Sequence, residues 1–342
     1  MNHKQLKDTA TQMLANDKGL LATDESNPTA NKRFAALGIP QTVEMRRAYR
    51  DMIVNAKGLG DAIGGAILYD ETIRQTAHDG TPFAQALEKA GIVPGIKVDE
   101  GAKPLALHDG ELVTEGLDGL RERLAEYAAM GARFAKWRAV ITIDDTKNAP
   151  SRGCYEANAH ALARYAALCQ EAGIVPIVEP EVLMDGAHTI ERCYEVTERA
   201  LHFVFDQLRT QRVYLEGMLL KPNMVVPGLK CATQNSADDV ADATIRCFRR
   251  SVPAAVAGIA FLSGGQSAPD ASARLNAMNA RNKGVLPWPV AFSFARAIQD
   301  PAMKAWGGKN ENVAAAQKAL VERAHLNRLA RRGEYAPAME ER

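Results

Sequence analysis

Lys221 closes the run YLEGMLLKPN, Tyr214 to Asn223, an apolar strand-like segment that carries one cation to its tip just before Pro222. A lysine amine has an ordinary pKa near ~10.4 and is protonated in water, but burial or a neighbouring cation lowers that value and frees the lone pair. A freed amine attacks a carbonyl to form an iminium ion, which draws electrons from the adjacent carbon and lets a carbon–carbon bond break without a metal. The segment FAKWR offers Lys136 as the neighbouring cation, and VPIVEPE offers Glu179 and Glu181 as proton carriers. The alternative is that Lys221 and Glu179 form a buried ion pair with a structural role only.

Other residues suit anion binding. In FLSGGQS, Ser263, Gly264 and Gly265 follow an apolar strand and expose backbone N–H groups at a helix start, a cradle for phosphate. Arg296, at another strand end, adds a bidentate phosphate partner, and Lys97 with Arg33 serves a second phosphate.

These residues need a scaffold that brings strand ends together. The strand runs are GLLATD, AIGGAILYDET, VPGIKVD, FAKWRAVITI, VPIVEPEV, YLEGMLLKPN, VAGIAFLSGG and VAFSFAR, separated by segments with apolar residues every three or four positions. About eight strands recurring roughly every 40 residues predict an α/β fold, a (β/α)₈ barrel, whose chemistry gathers at the carboxyl ends of the strands. Alternation of side chains puts Lys136 and Arg138 on one face, and likewise Glu179 and Glu181. An open doubly wound sheet is the competing architecture, but GLLATDES carries no Gly-rich dinucleotide turn. No linker divides the chain, so residues 1–342 are read as one barrel domain with a C-terminal helix from Lys309 onward and a short tail.

Composition narrows the ligand. The chain is 46% hydrophobic and 24% charged with a formal net charge of +1, without the basic excess that nucleic acid demands. A small neutral or anionic ligand fits better. The amino-terminal stretch MNHKQLKDTATQMLANDKG has no continuous apolar core, and no run reaches the ~18 to 20 apolar residues that cross a bilayer. The 5 cysteines are odd in number and lack a CxxC pair, which points to a reducing compartment, the cytoplasm, and away from disulfides or zinc. None of the 7 histidines falls in an HxH or HxxxH spacing, so no metal site and no cofactor is expected.

Taken in order along the chain, LLATDES, GIKVDEG, FAKWR, GIVPIVEPE, LEGMLLKPNM, FLSGGQS and KAWGGKNEN resemble class I, Schiff-base fructose-1,6-bisphosphate aldolase from about Gly19 to about Tyr335. The resemblance implies a barrel, a cytoplasmic homotetramer and reversible cleavage of fructose 1,6-bisphosphate to dihydroxyacetone phosphate and glyceraldehyde 3-phosphate in glycolysis and gluconeogenesis. By motif, Lys221 corresponds to the Schiff-base lysine and Glu179 to the proton acceptor and donor. Asp24 of TDES would take the proton from the C4 hydroxyl, and Lys136 would stand beside the imine, with Glu181 and Arg138 shaping the pocket. Ser263, Gly264, Gly265, Ser293 and Arg296 resemble the 1-phosphate site; Ser26, Thr29, Arg33 and Lys97 resemble the contacts at the 6-phosphate end.

Three departures stand out. Animal members end in a flexible tail closing with a tyrosine that assists enamine protonation, whereas this sequence stops at GEYAPAMEER, and Tyr335 lies too early for that role. Asn27, Pro28 and Thr29 replace a small Thr-Gly-Ser after DES, predicting a stiffer loop. Ala295 replaces the glycine before the phosphate-binding arginine, and its N–H remains usable if φ stays negative. Another imine-forming lyase, such as a transaldolase or keto-acid aldolase, lacks the second phosphate site. A metal-dependent aldolase lacks its ligands here, and a binding-only barrel has no use for Lys221 beside Glu179.

Overall fold

Eight parallel strands close on themselves in a computed structural model that describes residues 2–341. They are β1 (Gly19–Ala22), β2 (Ile63–Leu68), β3 (Val93–Lys97), β4 (Phe134–Ile141), β5 (Val175–Val182), β6 (Leu219–Leu220), β7 (Ile259–Phe261) and β8 (Val290–Phe294). The ring closes where Leu20 of β1 pairs with Ser293 of β8. This is the (β/α)₈ barrel of the spacing argument. Each strand falls inside a run read from the sequence; β5 fills its run VPIVEPEV, and the other strands are shorter than theirs. YLEGMLLKPN contributes only Leu219 and Leu220, because Leu215–Gly217 wind into a 3₁₀ turn first.

The apolar faces of the surrounding helices bury one side of each strand. Within the barrel a second core forms from Leu20, Phe134, Val175, Ile177, Leu219 and their neighbours. Leu6, Ala10 and Met13 of the helix His3–Met13 join that inner core. Gly64 and Gly258, at the amino ends of β2 and β7, lie so close to Met13 O and Leu14 Cδ1 that an added Cβ would sit 2.2 and 2.4 Å from them. The first helix therefore plugs the amino end of the barrel and leaves the carboxyl end open for polar groups. A hairpin of Ala102–Pro104 and Leu112–Thr114, which periodicity did not reveal, follows β3.

Ring size inside the barrel is matched by missing side chains. A Cβ on Gly95 would stand 2.3 Å from the Phe134 ring in the centre of the inner core. Gly95→Ala is expected to destabilise the protein by about 1–3 kcal/mol through overpacking, seen as a lower denaturation midpoint. An unchanged midpoint would show that the Phe134 ring has room to move.

Candidate functional site

Phe134 points into the inner core, so Lys136 and Arg138, two and four residues on, face the same side higher up the barrel. In β5 the succession Val175, Ile177, Glu179, Glu181 makes the same change from apolar to charged. The register sets Lys97 beside Lys136 and Arg138 beside Glu179. Charge thus collects at the carboxyl ends, around a hollow of about 590 Å³.

All fifteen residues singled out from the sequence line that hollow: Asp24, Ser26, Thr29, Arg33, Lys97, Lys136, Arg138, Glu179, Glu181, Lys221, Ser263, Gly264, Gly265, Ser293 and Arg296. A larger hollow, about 780 Å³, opens at the amino-end side among His3, Tyr214 and Pro253 and holds none of them. Chemistry and not volume marks the first as the candidate site.

At the floor, four buried charges alternate in sign. Lys221 Nζ lies 3.1 Å from Glu179 Oε1, Glu179 Oε2 lies 3.3 Å from Lys136 Nζ, and Lys136 Nζ lies 2.6 Å from Asp24 Oδ2. Burial alone would push the Lys136 ammonium down, but the attraction of Asp24, Glu179 and Asp99 outweighs it and holds that group well above the usual lysine range. Burial would likewise raise Asp24, yet Lys136 and Lys221 hold its carboxyl well below the usual range. Lys136 is therefore a fixed cation clasped by two carboxylates, and Lys221 meets a carboxylate first. Where Lys136 was expected as the cation neighbouring Lys221, Glu179 links the two amines. Glu179 Oε2 is buried and has no well-aligned hydrogen bond among the described residues despite its cationic neighbour.

Local structure fixes each member. Lys221 N–H donates to Val178 O at 2.8 Å as β6 ends. Asn223 in the same LLKPN segment accepts from Val182 N–H at 2.9 Å and donates to Thr197 Oγ1 at 3.1 Å, tying the Lys221 turn to the end of β5. Arg138 donates to Glu181, and this carboxylate keeps the guanidinium charged against the cost of burial.

At one side of the hollow, Gly264 adopts a left-handed φ of 57°, suited to glycine, and its carbonyl accepts from Arg296 Nη2 at 2.8 Å. Ser293 Oγ is buried without a partner among the described residues. The Ser263–Gly265 turn is not itself the start of a helix, contrary to the sequence reading. That helix begins at Ala268, capped by Ser267 Oγ on Asp270 N–H. The helix whose amino end does reach the hollow is Arg296–Trp306; Ala295 before it has φ −103°, so its N–H keeps the geometry expected of it.

On the other side, the cations expected to meet a second phosphate are already paired. Lys97 lies 2.7 Å from Asp99 Oδ1 and donates to Asp99 O at 2.6 Å. Arg33 pairs with Glu25 and lies 2.9 Å from Asp300 Oδ1. A phosphate there must exchange with these carboxylates or add to them. Asn27–Thr29 form the first turn of the helix Asn27–Ala35, where a stiffened loop was expected, and the Ser26 and Thr29 hydroxyls lie 3.1 Å apart.

Several residues of consequence escaped the sequence reading. Asp99 accepts from Lys97, from Gly101 N–H at 3.2 Å and from Arg138 N–H at 3.2 Å, so one carboxylate links β3 to β4. Its position in GIKVDEG, two after Lys97, was the available signal. Glu25 gathers Arg33, Arg50 at 2.9 Å and Gln299 Nε2 at 2.9 Å, the last of them 274 residues away in sequence. Met184 and Leu229 cover the Gly265 side of the hollow.

A family model for fructose-bisphosphate aldolase class-I matches residues 5–342. The chain belongs to the class-I fructose-bisphosphate aldolase family. It is an enzyme of that family by whole-length similarity: a Xanthomonas axonopodis protein described as a probable fructose-bisphosphate aldolase class 1 is 54% identical over 98% of this chain and 99% of its own. Fructose-bisphosphate aldolase 2 of Plasmodium berghei is 49% identical over 97% of this chain and 89% of its own. The solved Plasmodium falciparum fructose-bisphosphate aldolase, in complex with TRAP and a small molecule inhibitor, superposes with a TM-score of 0.96 at 47% identity. That match covers 98% of this chain and 96% of that one.

Proposed function

We propose that this aldolase-family enzyme cleaves and forms fructose 1,6-bisphosphate through an imine on Lys221, with Glu179 as proton carrier and Asp24 as the base for the C4 hydroxyl. The observation that carries the reading is the Lys221–Glu179–Lys136–Asp24 chain of alternating buried charges. Burying four ions costs several kcal/mol each before pairing, and apolar replacements of similar volume are often no less stable, so such a cluster suits chemistry better than scaffolding.

In this reading Glu179 takes a proton from the Lys221 ammonium, and the freed amine adds to the C2 carbonyl. Glu179 then returns a proton to the C2 hydroxyl, which leaves as water and gives the iminium ion. Asp24, kept ionised by Lys136, takes the C4 hydroxyl proton as the C3–C4 bond breaks; its electrons neutralise the iminium to an enamine, and glyceraldehyde 3-phosphate departs. Protonation at C3 and hydrolysis release dihydroxyacetone phosphate. Lys136 stays charged throughout and stabilises both carboxylates. The 1-phosphate lies against Ser263–Gly265, Ser293 and Arg296, where an unpartnered buried hydroxyl and a helix amino end favour an anion. The 6-phosphate end lies near Ser26, Thr29, Arg33 and Lys97. The homotetramer and cytoplasmic setting belong to the same reading, and unpaired cysteines suit a reducing compartment.

Arg296→Ala removes a cation at the 1-phosphate end. The reading expects KM for fructose 1,6-bisphosphate to rise about tenfold or more, from loss of charge-assisted hydrogen bonds. Steady-state kinetics check this, and an unchanged KM would remove the phosphate from that turn.

A further inference from the structure

The Gly265 N–H, a donor that the reading above assigns to the substrate's 1-phosphate, is already in use. It donates to Met184 Sδ at 3.0 Å. A Cβ built on Gly265 would meet the same sulfur at 3.2 Å and Leu229 Cδ1 at 3.4 Å, so a thioether and an isobutyl group lie directly over the turn. Both come from loops that are fastened together. Leu229 N–H donates to Met184 O at 2.8 Å, Lys230 N–H to Gly186 O at 2.8 Å, and Gly228 N–H to His188 O at 2.8 Å. The backbone under Met184 is thereby fixed while its side chain, with three rotatable bonds, remains free to leave. Met184 is half-buried and lines the hollow, where solvent reaches it.

A thioether is a weak acceptor, and a phosphate oxygen is a strong, charge-assisted one. Substrate can displace the sulfur, but it must do so on every turnover. We propose that Met184 is a resident competitor for the Gly265 amide and a modification site at which two-electron oxidation by a hydroperoxide weakens binding of the phosphorylated substrate. The proposal rests on the phosphate-binding reading of Ser263–Gly265. In the step, a sulfur lone pair forms an S–O bond to the terminal peroxide oxygen as the O–O bond breaks. The thioether is oxidised to the sulfoxide, hydrogen peroxide is reduced to water, and a dithiol-dependent sulfoxide reductase reverses the change. The sulfoxide oxygen is a far better acceptor than the thioether, so the same side chain changes from a displaceable cover to a firm one.

The test compares wild type and Met184→Leu, which keeps the apolar volume, removes the acceptor and retains every other methionine. KM for fructose 1,6-bisphosphate is measured before and after hydrogen peroxide, with peptide mass mapping of Met184. The expected results are a KM about two- to tenfold lower in Met184→Leu, matching the loss of one weak neutral hydrogen bond. In wild type, KM is expected to rise about tenfold in step with sulfoxide at Met184 and to return after reductase and dithiol treatment. Met184→Leu should resist the peroxide effect. Equal KM values with equal peroxide responses would overturn the proposal, as would Met184 sulfoxide formed in wild type without a change in KM. The wild-type arm needs no folded variant. Arg296→Ala run alongside separates the two readings: a raised KM there with no effect at Met184 rejects only the modification site, whereas an unchanged KM rejects the phosphate turn beneath it.

Discussion

Lys221→Ala is expected to lower kcat by roughly 10⁵-fold or more, the scale seen when a covalent nucleophile is removed from a group of residues acting as a unit. The reason lies in the position of the amine: Lys221 directly follows β6, with its backbone bonded to Val178 and its Nζ on Glu179. No neighbouring amine can replace it. Lys136 is the nearest in the charged chain, and Asp24 and Glu179 hold its proton too firmly for it to act as a nucleophile. In the variant, Glu179 keeps Lys136 as a partner at 3.3 Å, so the barrel is expected to remain folded, with an unchanged far-ultraviolet circular dichroism spectrum. Near-full turnover by a folded Lys221→Ala protein would end the imine assignment.

Lys136→Ala is expected to be damaging in two ways at once. It leaves Asp24 and Glu179 buried without their shared cation, and removing one partner of a buried pair costs about 3–5 kcal/mol. It also removes the cation that keeps Asp24 ionised, so kcat should fall by about 10²–10⁴-fold. The pH dependence follows from the two shifts. Asp24 has a folded-state pKa below its unfolded value of 3.8, so its contribution to stability is present above about pH 4 and is lost as the pH falls below that. Lys136 has a folded-state pKa above its unfolded value of 10.5, so its contribution is complete below about pH 10 and is lost on further alkalinisation. Across the neutral range both are present in full. Wild type should therefore lose stability on acidification below pH 4 more steeply than Lys136→Ala, whose Asp24 pKa has lost its main depressing partner. Denaturation midpoints measured from pH 3 to 7 check this, and parallel acid limbs would show that the pair contributes nothing to the acid stability of the fold.

How much of this could be read from residues alone depends on distance along the chain. Strand alternation is a local property, so Lys136 with Arg138 and Glu179 with Glu181 could be placed on shared faces before any coordinates. Periodicity likewise located all eight strands, and both ends of β5, but not every end, since the turn at Leu215–Gly217 depends on Leu6 and Gln170 packing against it. Partner choice was not legible. Arg33 could equally serve a phosphate or a carboxylate, and it is Gln299 and Asp300, far along the chain, that gather it with Glu25. The helix His3–Met13 spaces its few apolar residues among polar ones, and nothing local says that they enter the barrel. The cover of Met184 on Gly265 requires three loops from different strand ends to meet, which no single stretch encodes.

The most direct test of the central claim is borohydride reduction in the presence of fructose 1,6-bisphosphate and a chelator, followed by intact-mass and peptide analysis. The account predicts one substrate-dependent triose phosphate adduct, reduced onto Lys221, formed equally well with chelator present. An enzyme that turns over substrate yet yields no adduct, or carries it on another lysine, would contradict the account.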